Sequence, residues 1–332
     1  MKHRSQLTTF LMLLVGMALL VVFIRKTGWD EIARRVEAIG TGFVVLLAIS
    51  GVRIVARTRA WLRCMSDEER KVGFGPVWRA RIIGDATGHL TTSGPILAEP
   101  MRIRILRGKL SLTSRVSSLT VETLTYLMSC CLMIAAALLA LIATFAVSWN
   151  LRAVSIMVVT LLLLVVASTI VIAWRRWPVA SDLGLIGAKL LGTIGLGGKF
   201  DRQLLQLVEL EKRVFNFYAE RPRDFIVVAL WHALFHVCGV VETYATLQFI
   251  GFDTSPLAAF TLEGANRVIN VAFSFVPGRL GVDEAGSGLL AQTLGLGTTA
   301  GVSLALIRKG RVLFWTIVGL IFFAFSKPDE HN

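Results

Sequence analysis

A proline and two glycines interrupt the apolar sequence at Phe273-Ser274-Phe275-Val276-Pro277-Gly278-Arg279-Leu280-Gly281-Val282-Asp283-Glu284. Two carboxylates end this stretch, and a second apolar run begins at Ala285. Irregular backbone at membrane depth is tolerated only where it is buried in protein or lines a wet cavity. Ionisable residues in such places are candidates for function. The stretch therefore predicts a broken membrane helix that carries part of a functional site.

The composition indicates an integral membrane protein. Of the 332 residues, 55% are hydrophobic and 17% are charged, and the mean hydropathy is +0.67. These values exclude an ordinary soluble domain and a disordered chain. Several apolar runs reach the length of about 20 residues that a spanning helix needs. We predict an all-α, polytopic membrane protein that forms a single domain over residues 1–332, with about 6–8 transmembrane helices.

The net charge of +13 has two interpretations. It reflects the excess of Lys and Arg in cytoplasmic loops, or it serves contact with anionic lipid headgroups. No nucleic-acid motif accompanies the basic residues, so we expect no nucleic-acid partner. The four cysteines lack metal-ligand spacing and are predicted to be packing residues. We expect neither a metal nor another cofactor.

The N-terminal sequence predicts a multi-pass protein of the cell (inner) membrane. Lys2-His3-Arg4 precedes an uncharged run at 5–24, which we interpret as a first transmembrane helix with a cytoplasmic N-terminus. Two amphipathic segments, Trp29–Ile39 and Phe200–Tyr218, are predicted to lie on the membrane surface.

Later spans are predicted at 41–62, 124–147, 153–174 and 225–252 from their apolar sequence. Glu122 would lie at the mouth of the second of these, or one turn inside it. Beyond the opening stretch, Arg308, Lys309 and Arg311 are expected to interrupt an apolar run, which leaves a short last segment at 312–326.

Two pairs of polar residues recur at helical spacing inside these spans. Arg53 and Arg57 share one face of a helix. They either satisfy carbonyls or a lipid phosphate for structural reasons, or they bind substrate. His232 and His236 also share a face. They form either a metal or proton-relay site, or hydrogen bonds inside the bundle.

A second interrupted segment occurs at Ser93-Gly94-Pro95, where we predict a pair of short helices. Its likeness to the opening stretch indicates a possible internal repeat of 80–147 and 256–326. Paired interrupted segments in two halves of a membrane protein point to a transport site. The half-helices after Pro95 and Pro277 would aim backbone N–H groups at an anion such as a lipid phosphate.

Short motifs along the chain carry a resemblance to a known family. They are Gly94-Pro95 with Glu99 and Arg102, Ser117-Ser118 with Glu122, Asn270 with Pro277-Gly278-x-x-Gly281-x-x-Glu284, and the basic cluster before the last span. With these motifs the chain resembles the lysylphosphatidylglycerol synthase transmembrane region, also called the flippase-like family. Two departures accompany the resemblance: Arg279 stands where the family usually has a second glycine, and Gly94 precedes Pro95 instead of following it.

The resemblance implies an integral membrane protein that handles polar lipids. In this family the handling includes translocation of aminoacylated phospholipid between leaflets. In the full synthases a soluble aminoacyl-transfer domain follows. The sequence given ends at Asn332, so we expect that chemistry to be absent and the protein not to be an enzyme.

The function predicted first is a translocase or transporter of polar, anionic lipids in the bacterial envelope. One alternative is a membrane-embedded enzyme that acts on a lipid-linked substrate, with Glu99, Asp283 or Glu284 as acid, base or metal ligand. Another is a non-catalytic accessory of an envelope-lipid pathway that binds a protein partner.

The expected partners are therefore membrane lipids with anionic headgroups. For Glu284 and Arg308 an internal ion pair is the alternative to a role in substrate binding. The residues predicted to contact the headgroup are Arg53, Arg57, Gly94, Pro95, Glu99, Arg102, Glu122, Asn270, Pro277, Gly278, Arg279, Gly281, Asp283, Glu284 and Arg308.

Overall fold

The computed structural model describes residues 29–90, 94–192, 201–273, 276, 279 and 281–325. This part of the chain consists of twelve α-helices and a short 3-10 helix, and it contains no strand. The predicted all-α, polytopic fold is confirmed. The predicted first span at 5–24 lies outside the described residues.

Three helices in the described ranges, Leu112–Thr144, Trp149–Arg175 and Pro222–Phe249, are long and apolar enough to cross a membrane. The 3-10 helix is Glu69–Val72. The α-helices are α1 (Trp29–Ala38), α2 (Gly42–Cys64), α3 (Phe74–Leu90), α4 (Gly94–Ile105), α5 (Leu112–Thr144), α6 (Trp149–Arg175), α7 (Val179–Gly192), α8 (Asp201–Glu220), α9 (Pro222–Phe249), α10 (Pro256–Ala272), α11 (Val282–Thr293) and α12 (Thr298–Ala324).

Helix α5 begins twelve residues before the predicted span at 124–147. Its N-cap is Ser111, whose hydroxyl accepts a hydrogen bond from the backbone N–H of Ser114 at 3.1 Å. Ser117 and Ser118 then bond to carbonyls of the preceding turn, so these polar residues fit a helix interior. The expectation that Glu122 lies at the helix mouth is therefore wrong, because Glu122 is almost three turns inside α5.

Helix α12 runs without a break through Arg308, Lys309 and Arg311. The expectation that these residues interrupt the apolar run, with a separate last segment at 312–326, is wrong. All three cations pair with carboxylates of other helices. Since their charges are compensated inside the protein, the helix does not have to end to expose them.

Close helix crossings bring the interrupted segments together. Helix α2 packs most extensively on α9, while α3 packs on α12 and α10 packs on α5. Gly264 of α10 lies against Ala137 of α5, and Gly319 of α12 lies against Ile82 and Ala86 of α3. Small residues at these crossings let the backbones approach closely, as is typical of membrane helices.

The two interrupted segments have the same order of helices. Helices α3 and α10 each have 17 residues, and α4 and α11 each have 12. A long helix follows each pair, and the first helix of each set packs on the long helix of the other set. The internal repeat of 80–147 and 256–326 stays a prediction, as does the single domain.

Both predicted amphipathic segments are helical, as α1 and α8. Helix α1 packs on α12, and α8 packs on α5 and α7. Val214 and Phe217 anchor α8 because they are buried beside Ala60, Val121 and Val228. Their position on the membrane surface stays a prediction.

Candidate functional site

Two adjoining cavities lie where the interrupted segments meet α2 and α9. The larger has a volume of about 460 Å³ and lies among α2, α3, α5, α9, α10, α12 and the start of α11. The smaller has a volume of about 210 Å³ and lies among α2, α3, α9 and α12. We call the two together the cationic cavity. The residues that line both are Arg53, His89, Phe235, Arg311 and Val312.

In the larger cavity, the carboxylate of Glu263 in α10 has the largest number of basic neighbours. Its oxygens lie 2.6 Å from Nη2 of Arg308 and 3.1 Å from Nη2 of Arg267. Nη2 of Arg53 lies at 3.9 Å. The hydroxyl of Thr243 donates a hydrogen bond to the same carboxylate at 3.0 Å. One carboxylate therefore serves three guanidiniums from three different helices.

Glu242 of α9 joins α2 to α12 in a similar way. Its two oxygens lie 2.7 Å from Nη1 of Arg53 and 2.7 Å from Nε of Arg311. The side chain of Glu242 is almost fully buried. Arg53 donates a charge-assisted hydrogen bond to Glu242, whereas the contact with Arg311 is an ion pair. The carboxylate thus holds both arginines at the cavity wall.

Glu122 of α5 is fully buried and pairs with two further arginines. Arg57 bonds it with two nitrogens, Nε at 2.9 Å and Nη2 at 3.0 Å. Nη2 of Arg81 lies 3.0 Å from the second oxygen. The guanidinium of Arg57 also stacks 3.7 Å from the ring centre of Tyr126. Arg57 and Arg81 of this group line the smaller cavity.

Phe235 of α9 lies in the wall that both cavities share. The guanidinium carbons of Arg53, Arg267 and Arg57 lie 4.5, 5.5 and 6.0 Å from its ring centre. A ring face attracts cations at these distances. Phe235 therefore holds three guanidiniums close together although they repel one another.

The break before α11 is closed by Glu284. Gly281 has a φ of 78°, and its backbone N–H donates to Oε2 of Glu284 at 2.8 Å. The other oxygen of Glu284 accepts a hydrogen bond from Lys309. Glu284 is fully buried, so it both caps the helix and neutralises a cation of α12.

The alternative of a Glu284–Arg308 ion pair is wrong. Glu284 pairs with Lys309, whereas Arg308 pairs with Glu263. Successive residues of a helix point in directions about 100° apart. Arg308 and Lys309 consequently face different neighbours, α10 and the start of α11.

Arg279 lines the larger cavity just before α11. Its φ is 47°, a left-handed conformation that favours glycine. Nε of Arg279 lies 3.3 Å from Oδ2 of Asp283, and its carbonyl accepts a bond from Lys309. Asp283 and Asn270 line the same cavity. The predicted site residues Pro277 and Gly278 lie outside the described residues.

Of the predicted residues in the other interrupted segment, Glu99 and Arg102 are not among the described residues that line the cationic cavity. Gly94 and Pro95 begin α4. Arg102 is buried, and it pairs with Glu99 of its own helix and with Asp85 of α3. Asp85 lines the smaller cavity. Arg102 therefore acts on the cavity through Asp85.

Several lining residues were not among the predicted site residues, although part of the signal is visible in the sequence. Glu263 and Arg267 are four apart, as are Arg81 and Asp85, which places each pair on one helix face. The lining residues outside the predicted set include Arg81, Asp85, His89, Tyr126, Phe235, Glu263, Arg267, Lys309 and Arg311.

Gly239 of α9 leaves room for the ion pairs of the cavity because it has no side chain. A Cβ at this position would lie 2.9 Å from Oε1 of Glu263, 3.4 Å from Nη2 of Arg53 and 3.5 Å from Nη2 of Arg267. Glycine therefore allows the carboxylate and two guanidiniums to rest on the backbone of α9. Nothing in the sequence marks this glycine among the 29 in the chain.

The two histidines of α9 lie beside the cavity. Nε2 of His236 is 2.9 Å from the hydroxyl of Ser129, and both imidazoles pack against Tyr126. The hydrogen-bonding interpretation fits His236. Within the described ranges, no group of three His, Cys, Asp or Glu residues could hold a metal ion.

Comparison with known proteins identifies the family of the chain. No curated protein and no solved structure matches the chain. A family model described as the lysylphosphatidylglycerol synthase TM region matches residues 9–319, nearly the whole chain. The chain therefore belongs to this family of membrane proteins related to lipid modification or transport, as the resemblance predicted.

Proposed function

We propose that the protein translocates lipids with polar, anionic headgroups between the leaflets of the cell (inner) membrane, with its N-terminus in the cytoplasm. The cationic cavity is the observation that carries this proposal. Two carboxylates, Glu263 and Asp283, share the larger cavity with six basic side chains: Arg53, Arg267, Arg279, Arg308, Lys309 and Arg311.

Electrostatics explains why such a cavity suits a lipid headgroup. A charge at the centre of a bilayer costs several kcal/mol or more, depending on how much water follows it. Guanidiniums replace that water, because they bind phosphate oxygens with paired, charge-assisted hydrogen bonds. The cavity would lower the barrier for the headgroup by this substitution.

The rim of the cavity suits the rest of a lipid. Leu90 of α3 and Leu313 of α12 line the larger cavity, and they are 59% and 60% exposed. Apolar side chains that are exposed on a membrane helix face acyl chains. A lipid could place its headgroup among the arginines while its tails stay in the bilayer between α3 and α12.

The interrupted segments supply the moving parts in this proposal. If the predicted repeat holds, α3–α4 and α10–α11 are equivalent elements on opposite sides of the cavity. Alternating access in transporters with repeats arises when one repeat rocks against the other around a fixed site. The ion pairs from α4, α10 and α11 would exchange partners during this motion.

Reconstitution into liposomes tests the proposal. Vesicles with the purified protein, and empty vesicles, receive phosphatidylglycerol with a fluorescent acyl chain, and dithionite bleaches the label in the outer leaflet. We expect a larger bleached fraction with protein. Arg308→Gln should slow translocation, since it removes a cation at Glu263. Arg59→Gln is the control, because this exposed guanidinium stacks on Phe74 outside the cavity.

Two outcomes would overturn the proposal. One is equal bleaching of protein-containing and empty vesicles. The other is chemical conversion of the labelled lipid, detected by mass spectrometry of the extracted vesicles, without faster translocation. The second outcome would favour the enzyme alternative.

A further inference from the structure

We propose that the lipid headgroup bound in the larger cavity is a phosphate monoester, which carries two negative charges, and not a singly charged phosphodiester. This inference rests on the proposed function for the source of the ligand. It comes from the charge that remains after every ion pair of the cavity is assigned.

The excess charge belongs to one compact group. Four guanidiniums share two carboxylates, and each of the four lies within 4 Å of at least one of them. All four guanidiniums line the larger cavity. With both carboxylates ionised, two positive charges remain. The group consists of Arg53, Arg267, Arg308 and Arg311 with Glu242 and Glu263.

The other charges around the cavity compensate one another. Arg279 pairs with Asp283, and Lys309 pairs with Glu284. With the histidines counted as neutral, the remaining charges at the smaller cavity are balanced too, since three guanidiniums contact three carboxylates there. These are Arg57, Arg81 and Arg102 with Asp85, Glu99 and Glu122.

Unused donors lie in the same group. Nη1 of Arg308 is buried without a hydrogen-bond partner among the described residues, and so are Nε of Arg267 and Nε of Arg53. Uncompensated charges and unpaired donors are costly inside a protein. A bound anion that brings charge and acceptor oxygens would remove both costs, so the group is complete only with a ligand.

The classes of headgroup differ in how well their charge matches the two excess positive charges. A phosphodiester carries one negative charge and leaves one cation unmatched, and a zwitterionic headgroup leaves two. A phosphate monoester carries about −1.5 to −2 at neutral pH and offers three strong acceptor oxygens. That number of charges matches the excess, and the oxygens fit paired donation from guanidiniums. Inorganic phosphate has the same chemistry, so the experiment separates the two sources.

Binding is measured first, because it does not depend on transport. The purified full-length protein in detergent is titrated with short-chain phosphatidic acid, short-chain phosphatidylglycerol or inorganic phosphate, and thermal unfolding reports binding. We expect phosphatidic acid to bind at least about tenfold more tightly than phosphatidylglycerol at pH 7.5. At pH 5 the monoester loses one charge, since its second ionisation lies near pH 6, and the preference should largely vanish.

Arg308→Gln sharpens the test, because it removes one of the two excess charges. This variant should lose the preference for the monoester and still bind phosphatidylglycerol, which a merely damaged protein would not do. Arg59→Gln should keep the preference. Equal or weaker binding of phosphatidic acid by the unchanged protein would overturn the inference, and so would an equal effect of inorganic phosphate.

Transport separates this inference from the proposed function. Translocation of acyl-labelled phosphatidic acid and phosphatidylglycerol is compared in the same vesicles, with empty vesicles subtracted. Faster movement of phosphatidic acid supports both proposals. Equal rates of protein-dependent movement would overturn the inference and leave the proposed function standing. A binding preference without movement would overturn the proposed function alone.

Discussion

The replacement of Gly239 by alanine separates the function of the cationic cavity from the stability of the fold. The new Cβ would lie 2.9 Å from Oε1 of Glu263, about half an ångström inside ordinary van der Waals distance. Glu263 cannot swing away freely, since Arg308 and Arg267 bond it at 2.6 and 3.1 Å. The carboxylate and its guanidiniums must therefore shift together.

The expected effects on stability and on transport differ. Alanine in a helix interior stabilises by about 1 kcal/mol relative to glycine, and one weakened charge-assisted hydrogen bond costs about 1.5 kcal/mol. The thermal stability of Gly239→Ala should hence change little. Translocation should fall by roughly tenfold, because about 1.4 kcal/mol at the site corresponds to that factor.

Gly310→Ala is the matched control. Gly310 also lies inside a helix, α12, but the nearest atom to an added Cβ is Cζ of Phe43 at 3.7 Å, an ordinary contact. This variant should be slightly more stable than the unchanged protein and should translocate lipid at the same rate. The dithionite assay measures the rates, and differential scanning calorimetry in detergent measures the stabilities.

A Gly239→Ala protein that translocates lipid as fast as the unchanged one would refute this role of Gly239. Equal loss of activity in both alanine variants would refute it too, since that would assign the effect to helix glycines in general.

Two further predictions concern the break before α11, and a third concerns the 3-10 helix. Glu284→Gln should destabilise the protein by about 3–5 kcal/mol in thermal unfolding, because it leaves a buried lysine without its partner. A second substitution of that lysine by methionine should restore most of the loss. Arg279→Gly should keep stability within about 1 kcal/mol, since glycine adopts the left-handed φ without strain, and it should slow translocation of anionic lipid. Burial alone would raise the pKa of Glu69 in the 3-10 helix, but hydrogen bonds from Ser114 and Ser66 lower it below its ordinary value. Its contribution to stability is thus present above that ordinary value and is lost as the pH falls, so the stability difference between Glu69→Gln and the unchanged protein should shrink from pH 7 to pH 3.

The order of helices and the positions of the breaks follow from the sequence. Apolar runs gave the spans that became α2, α5, α6 and α9. Pro95 and the glycines near Arg279 marked the interrupted segments, because these residues stop or turn a helix. Charged residues inside the runs marked the chain segments that meet at the cavity.

The pairing of charges could not be predicted, because it depends on how the helices cross. Glu284 meets Lys309 and not Arg308, although the two cations are neighbours in the chain. Hydropathy also failed to predict helix ends where charges are compensated inside the protein. It predicted a break at Arg308, although Arg308 lies in the middle of α12. It also placed Glu122 at a helix mouth, although α5 begins at Leu112.

Leaflet-resolved lipid analysis of cell membranes gives the most direct test of the proposed translocation. Membranes from cells that contain the protein are compared with membranes that lack it and with membranes that contain Arg308→Gln at the same level. We predict that the protein changes the distribution of anionic phospholipid between the leaflets and that the variant changes it much less. An identical distribution in all three membranes would contradict a lipid translocase built around the cationic cavity.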